Sequence, residues 1–224
     1  MIAELPFILL VAGAALIGLW WANYFFDEGI SHWRSRKVGH FFGGCAALFA
    51  VFLLHSWLIP TILAGLFTLM LGLSNKLSPR MFRGTGGLGR GTQAMSEMWF
   101  PLAMTIVWGI GWGAFNKPME STACILMMAW GDCLGGWVRA FKYKTATKGL
   151  EGSLATFGVC LLLAWAFLPV LWLGILTALG ATIVEYVCGD VSKIRWLRWT
   201  DDNFFIPICS AAIYFGGLYA LGQL

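Results

Sequence analysis

The sequence predicts an all-α polytopic integral membrane protein of about eight transmembrane helices with cytoplasmic basic loops, and three observations carry that prediction. First, the 224 residues are 59% hydrophobic and 12% charged, whereas soluble domains are nearer ~45–50% apolar and ~25% charged. Second, apolar stretches recur along the chain at close to the ~20 residues that a helix needs to cross a hydrocarbon core. Third, Lys and Arg gather between alternate stretches, the asymmetry that orients membrane helices.

The stretches run over 5–26, 38–57, 58–73, 97–115, 119–138, 153–169, 170–188 and 204–222. The first has neither a basic leader nor a small-residue cleavage site, and it ends in the aromatic belt "WWANYFF". It is expected to be a retained span and not a signal peptide. Only "HSWLIP" separates the second from the third, and Pro169 marks the break between the sixth and seventh, so each pair reads as a tight helical hairpin. The longest connection, 74–96, is too short to fold alone, and no internal repeat is visible. Residues 1–224 therefore form one membrane domain. Cys45, Cys124, Cys133, Cys160, Cys188 and Cys209 lie in or at the ends of apolar stretches without a CxxC pair. They are expected to be small packing residues.

With eight spans, Arg34, Arg36 and Lys37, then Lys76, Arg80, Arg83 and Arg90, then Arg139, Lys142, Lys144 and Lys148, then Lys193, Arg195 and Arg198 all fall on one side. Lys117 alone falls on the other. Both termini are thus expected outside the cytoplasm and four basic loops inside it.

The acidic residues carry more information, because an ionised carboxylate in a membrane helix costs at least ~2.5 kcal/mol on insertion scales. Most of the eleven sit on the basic side: Asp27, Glu28, Glu97, Asp132, Glu151, Glu185, Asp190, Asp201 and Asp202. Asp132 stands in "MMAWGDCLGGWV", flanked by Gly131, Gly135 and Gly136. Small residues on that face admit a second helix or a phosphate. Asp132 reads either as a snorkelling acid in a packing patch or as a Mg²⁺ ligand, since Mg²⁺ is commonly held by one or two carboxylates, water and phosphates. Glu185 lies about one turn inside a helix end, Asp202 and Asn203 precede the last span, and Glu97 opens the fourth. Taken singly, Asp201 or Asp202 could be an N-cap and Glu97 a helix-start acid.

The cations add a second set of parts. In "RKVGH", Arg36, Lys37 and His40 share one helical turn, with Arg36 and His40 on the same face. Lys148 precedes "EGS", where Gly152 or Ser153 can open a helix whose free N–H groups favour anions. Carboxylates, cations and a helix start are what phosphoryl transfer requires, because that chemistry is mostly positioning and charge neutralisation. No Walker A sequence occurs, and the glycines of "RGTGGLGRGT" follow no strand.

In order and approximate spacing, "RKVGH", "EMWFPLA", "GDCLGG", "KGLEGS", Glu185 and "DNFFIP" resemble the CTP-dependent lipid alcohol kinases, which include dolichol, phytol and CTP-using diacylglycerol kinases. The resemblance covers residues 36–207, and CDP-diacylglycerol synthases are more distantly similar. It implies that Asp132, Gly135, Lys148, Glu151, Gly152, Ser153, Asp202 and Asn203 shape a CTP and metal site. Two departures stand out: the Ser or Thr that follows the family's Lys is Gly149 here, and "VRAFKYK" replaces a second glycine element. Lys142 and Lys144 are candidates to compensate, or to bind anionic lipid.

The function expected is transfer of the CTP γ-phosphate to the hydroxyl of a membrane lipid alcohol with Mg²⁺. Asp132, Asp202 and Asn203 are the expected metal ligands, with Asp132 also catalytic and Glu185 or Glu97 orienting or deprotonating the alcohol. Arg36, Lys37, His40, Gly135, Gly136, Lys148, Glu151, Gly152 and Ser153 are expected around the nucleotide. Expected partners are CTP, the lipid and the bilayer, with no nucleic acid; homo-oligomerisation is left open. Two rivals are a cytidylyltransferase acting on a lipid phosphate and an ion-coupled transporter.

Overall fold

The computed structural model describes residues 4–78, 81–85, 96–144, 147–189 and 201–224. Of the residues singled out above, Arg80, Arg90, Asp190, Lys193, Arg195 and Arg198 lie outside that set, as does most of the glycine-rich loop. The described residues are helical, with no strand among them.

Helices α1 (Leu5–Asp27), α2 (His32–Leu53) and α3 (Leu58–Leu77) come first. α4 (Ser96–Val107) runs on through a π-helical segment, Trp108–Ala114. α5 (Pro118–Leu126) passes through a second, Met127–Asp132, into α6 (Cys133–Tyr143). α7 (Leu150–Phe167), α8 (Leu171–Val187) and α9 (Asp202–Ala220) complete the order. α1, α2, α7 and α9 are long and apolar enough to cross a membrane, while Leu58–Ser74 and α8 are shorter apolar helices. Each of the eight apolar stretches falls on one helical rod. Leu9, Leu66, Leu69, Leu162 and Trp165 are each at least half exposed, a surface suited to hydrocarbon.

The two largest differences from the expected boundaries both involve charged residues. α2 starts at His32, six residues before 38, so Arg34, Arg36 and Lys37 are helical residues. The fifth rod continues past 138 to Tyr143 and stops where Lys144 turns left-handed, φ 56°. In both places charged residues find partners inside the bundle, so the helix need not end where the apolar run does.

The interior combines large apolar side chains such as Trp108 and Tyr214 with alanines and self-satisfied hydroxyls. Ala123 to Ala129 are completely buried. Thr68, Thr105 and Thr177 each donate to the carbonyl four residues earlier, at 2.9, 2.9 and 2.8 Å, which removes the cost of a hydroxyl among apolar atoms. α6 and α7 cross where Gly135 faces Gly152: a Cβ on Gly135 would lie 2.1 Å from Thr156 Oγ1 and 2.7 Å from the Gly152 carbonyl. Because one of those atoms is backbone, the helices would have to separate. Gly135→Ala is expected to cost ~1–3 kcal/mol, the usual range for overpacking, read as a lowered melting temperature in detergent.

Contacts define two ends of the bundle. At one, Glu4 meets His55 (3.3 Å), Lys117 meets Glu120 (3.8 Å), and the Val170 N–H reaches the Tyr214 hydroxyl at 3.5 Å. At the other, the starts of α2, α7 and α9 meet the end of α8 and the middle of the α5–α6 rod. Among the described residues, Lys117 is the one Lys or Arg at the first end.

Candidate functional site

Asp132 closes the second π-helical segment, which projects its carboxylate inward at 1% exposure. Lys37 of α2 pairs with Asp132 Oδ2 and His40 Nδ1 lies 3.4 Å from it, while Arg139 Nη2 lies 3.6 Å from Oδ1. Arg139 then reaches across to α8, where it donates to Glu185 Oε1. Lys148 donates to the same oxygen at 2.9 Å and to the Glu185 carbonyl, and its ammonium lies 3.4 Å from Asp202 Oδ2. Ser153 Oγ donates to Glu185 Oε2 at 3.3 Å. One connected, almost wholly buried network thus links five helices and the link that carries Lys148.

Its local supports are legible. Gly136 leaves room for Lys37, whose Cε would be 2.5 Å from an added Cβ. Asp201, with extended backbone, caps α9 by accepting from the Asn203 N–H at 2.9 Å, which places Asp202 in the first turn. Gly189, at φ +96°, turns the chain out of α8 with Asp202 Oδ2 3.2 Å from where its Cβ would stand. A side chain there would be both strained and crowded.

Counting Arg36 and Glu97 beside His40, four cations (Arg36, Lys37, Arg139, Lys148) face four carboxylates (Asp132, Glu185, Asp202, Glu97) among the described residues. Lys148, in the link before α7, holds its proton more tightly than the ordinary value of 10.5: burial pushes the ammonium down, but Glu185 and Asp202 more than offset it. Its contribution to stability is therefore complete below about 10.5 and lost only as pH rises through the higher folded value. Melting between about pH 7 and 9 should show no loss traceable to Lys148, and Lys148→Met should lower the melting temperature throughout that range.

Beside this network runs an apolar cleft, open on one side, between α1, α2, α3 and α4. Arg36, His40, Thr85 and Glu97 stand at one end of it. Thr85 is held there by a pinned loop: Asn23 donates to the Met81 carbonyl (2.7 Å) and accepts from the Gly84 N–H (2.8 Å), Ser35 donates to the Gly84 carbonyl (2.7 Å), and Arg83 pairs with Asp27 (2.6 Å). His40 belongs to both the cleft and the Asp132 network, and its ring packs 5.9 Å from Phe100. Glu97 is thus placed at the cleft and Glu185 in the network.

The expected set does not all converge. Glu151 turns away to Lys142 and the Tyr143 hydroxyl, so Lys142 is engaged there and not beside Asp132. Gly135, Gly152 and Gly131 serve the α6–α7 contact, Gly131 with Cys160 Sγ 2.9 Å from its added Cβ. Beside Gly149, the Tyr143 ring lies 2.7 Å and its hydroxyl 3.0 Å from where a Cβ would be, so a Ser or Thr at 149 requires the tyrosine to move. Arg139, read from sequence only as a basic loop residue, bridges Asp132 and Glu185. Its signal was its spacing, seven residues or two helical turns after Asp132.

Among the described residues no cluster of three or more His, Cys, Asp or Glu is placed to hold a metal ion. One observation nevertheless fits a cation shared with phosphates: Asp132 Oδ1 is buried and has no hydrogen-bond partner among the described residues.

No family model, curated protein or solved structure matches this chain.

Proposed function

We propose that this chain is an eight-span membrane enzyme that transfers the γ-phosphate of CTP to the hydroxyl of a membrane lipid alcohol. What supports this most is the junction at His40: a buried network of paired cations and carboxylates on one side, and on the other an apolar cleft whose polar end carries Glu97. A nucleotide and a lipid would meet there. The even charge asymmetry of the two bundle ends supports a cytoplasmic network with both termini outside.

In this proposal Lys37, Arg36, Lys148 and Arg139 neutralise the triphosphate. Asp132 Oδ1 and Asp202 would hold Mg²⁺, with Asn203 beside Asp202, and the ion would supply charge neutralisation on the phosphates. The lipid oxygen attacks the γ-phosphorus, the bond from the γ-phosphorus to the β–γ bridging oxygen breaks, and CDP leaves with that oxygen. The hydroxyl proton goes to Glu97 at the cleft mouth. Glu185 is assigned an anchoring role, because two cations and Ser153 already hold its carboxylate.

The test is formation of a lipid monophosphate by purified protein in liposomes, with phytol, a long polyprenol and diacylglycerol as acceptors and CTP or ATP as donor. CTP-dependent product with at least one acceptor is expected. Its absence with every acceptor, from protein shown to be folded, would sink the proposal. Glu97→Gln is expected to lower the rate ~10²–10⁴-fold, the usual contribution of a general base, with CTP binding unchanged.

A further inference from the structure

Building on the lipid kinase assignment, we infer that the cleft between α1 and α4 is a length-limited channel for a single hydrocarbon chain, with Trp108 as its floor. Beyond Arg36, His40, Thr85 and Glu97 its lining is apolar, and small residues such as Ala12, Ala15, Ala46 and Ala64 create the space. Eleven residues of the fourth rod separate Glu97 at the mouth from Trp108, about 16 Å at ~1.5 Å per residue. That is roughly half of a ~30 Å hydrocarbon core, the depth of one leaflet. Trp108 is fixed at the bottom: it is 2% exposed, and its indole N–H donates to Thr122 Oγ1 at 3.0 Å. Pro60, in the first turn of α3, lines the cleft as well.

The chemistry of the lining selects the occupant. A lipid whose one polar group is its terminal hydroxyl can place that group among the mouth residues and leave only hydrocarbon below. Diacylglycerol brings two ester carbonyls and a second chain, and past Phe100 and Gly43 no polar side chain among the described residues lines the wall to receive them. A buried carbonyl without a donor is costly. The preferred acceptor is therefore a single-chain, unesterified alcohol about one leaflet long, while a long polyprenol would have to leave through the open side.

The experiment uses a phytol analogue with a diazirine near the end of its tail, incorporated in liposomes with the intact protein and mapped by mass spectrometry after illumination. Crosslinks to Met104, Phe67 or Trp108 are expected. Crosslinks only to outward residues such as Leu66 or Trp165 would overturn the channel. Ala64→Trp should reduce phytol phosphorylation at least tenfold relative to geraniol, a shorter alcohol, and should abolish the crosslinks. Should that variant not fold, Met104→Ala, which enlarges the channel, should shift preference toward longer chains; an unchanged chain-length profile in it would overturn the channel. Channel crosslinks without any phosphate transfer would support the channel and refute the kinase. Phosphate transfer to diacylglycerol at the phytol rate would do the reverse.

Discussion

Asp132→Asn is expected to reduce phosphoryl transfer by at least ~100-fold, the scale on which losing one preorganised electrostatic group acts, while the protein remains folded. The carboxylate is the hub of the site. Lys37 and His40 face one oxygen, Arg139 faces the other, and that second oxygen accepts no hydrogen bond from any described residue. Asparagine keeps the shape and removes the charge. It also leaves Lys37 buried beside a neutral amide, so some stability is lost, and the two effects must be separated. Adding Lys37→Met to Asp132→Asn removes the isolated cation. The double variant should melt closer to wild type yet stay inactive. Recovery of activity together with stability would reduce Asp132 to a structural ion pair. Monodispersity by fluorescence-detected size exclusion, melting temperature and lipid phosphate formation together read out the cycle.

Glu185→Gln is expected to have the largest effect on stability, about 3–5 kcal/mol, as when one partner of a buried ion pair is removed. Glu185 is completely buried and receives Arg139, Lys148 and Ser153. Without its charge two cations remain in the interior, with Asp132 nearest Arg139 and Asp202 nearest Lys148 among the described residues. The same change should lower activity mainly through misplacement of Lys148 and Arg139, so it should raise KM for CTP more than it lowers kcat. A loss confined to kcat, with melting unchanged, would instead make Glu185 the proton acceptor. Arg139→Gln placed on the Glu185→Gln background should recover part of the lost stability.

How far the site was legible varies residue by residue, for physical reasons. Apolar runs of the right length announced the helical rods, because a backbone in hydrocarbon has few alternatives. The turn carrying Arg36 and His40 was legible from i to i+4 spacing, and Asp132 from an acid placed where acids are expensive. What a helix face meets across the bundle is not written in local spacing. For that reason Arg139 passed as an ordinary loop cation, and Glu151 looked like a nucleotide contact although it pairs with Lys142 and Tyr143. The glycines after Asp132 signalled closeness, but the close neighbours are α7 and the Lys37 stem. Gly149 was legible only as a missing hydroxyl; the ring of Tyr143 that fills the space comes from six residues upstream, around the end of α6. The apolar run marks α2 only from 38, although its helical turn was already legible at Arg36; the residues before it are charged and polar, and their partners lie on other elements.

The most direct measurement gives the purified protein, in liposomes with phytol and phosphatidic acid, CTP labelled separately in the γ- and α-phosphates. A kinase places the γ label in a lipid monophosphate and leaves the α label in CDP. Release of the γ label as pyrophosphate, with the α label entering the lipid fraction, would contradict it.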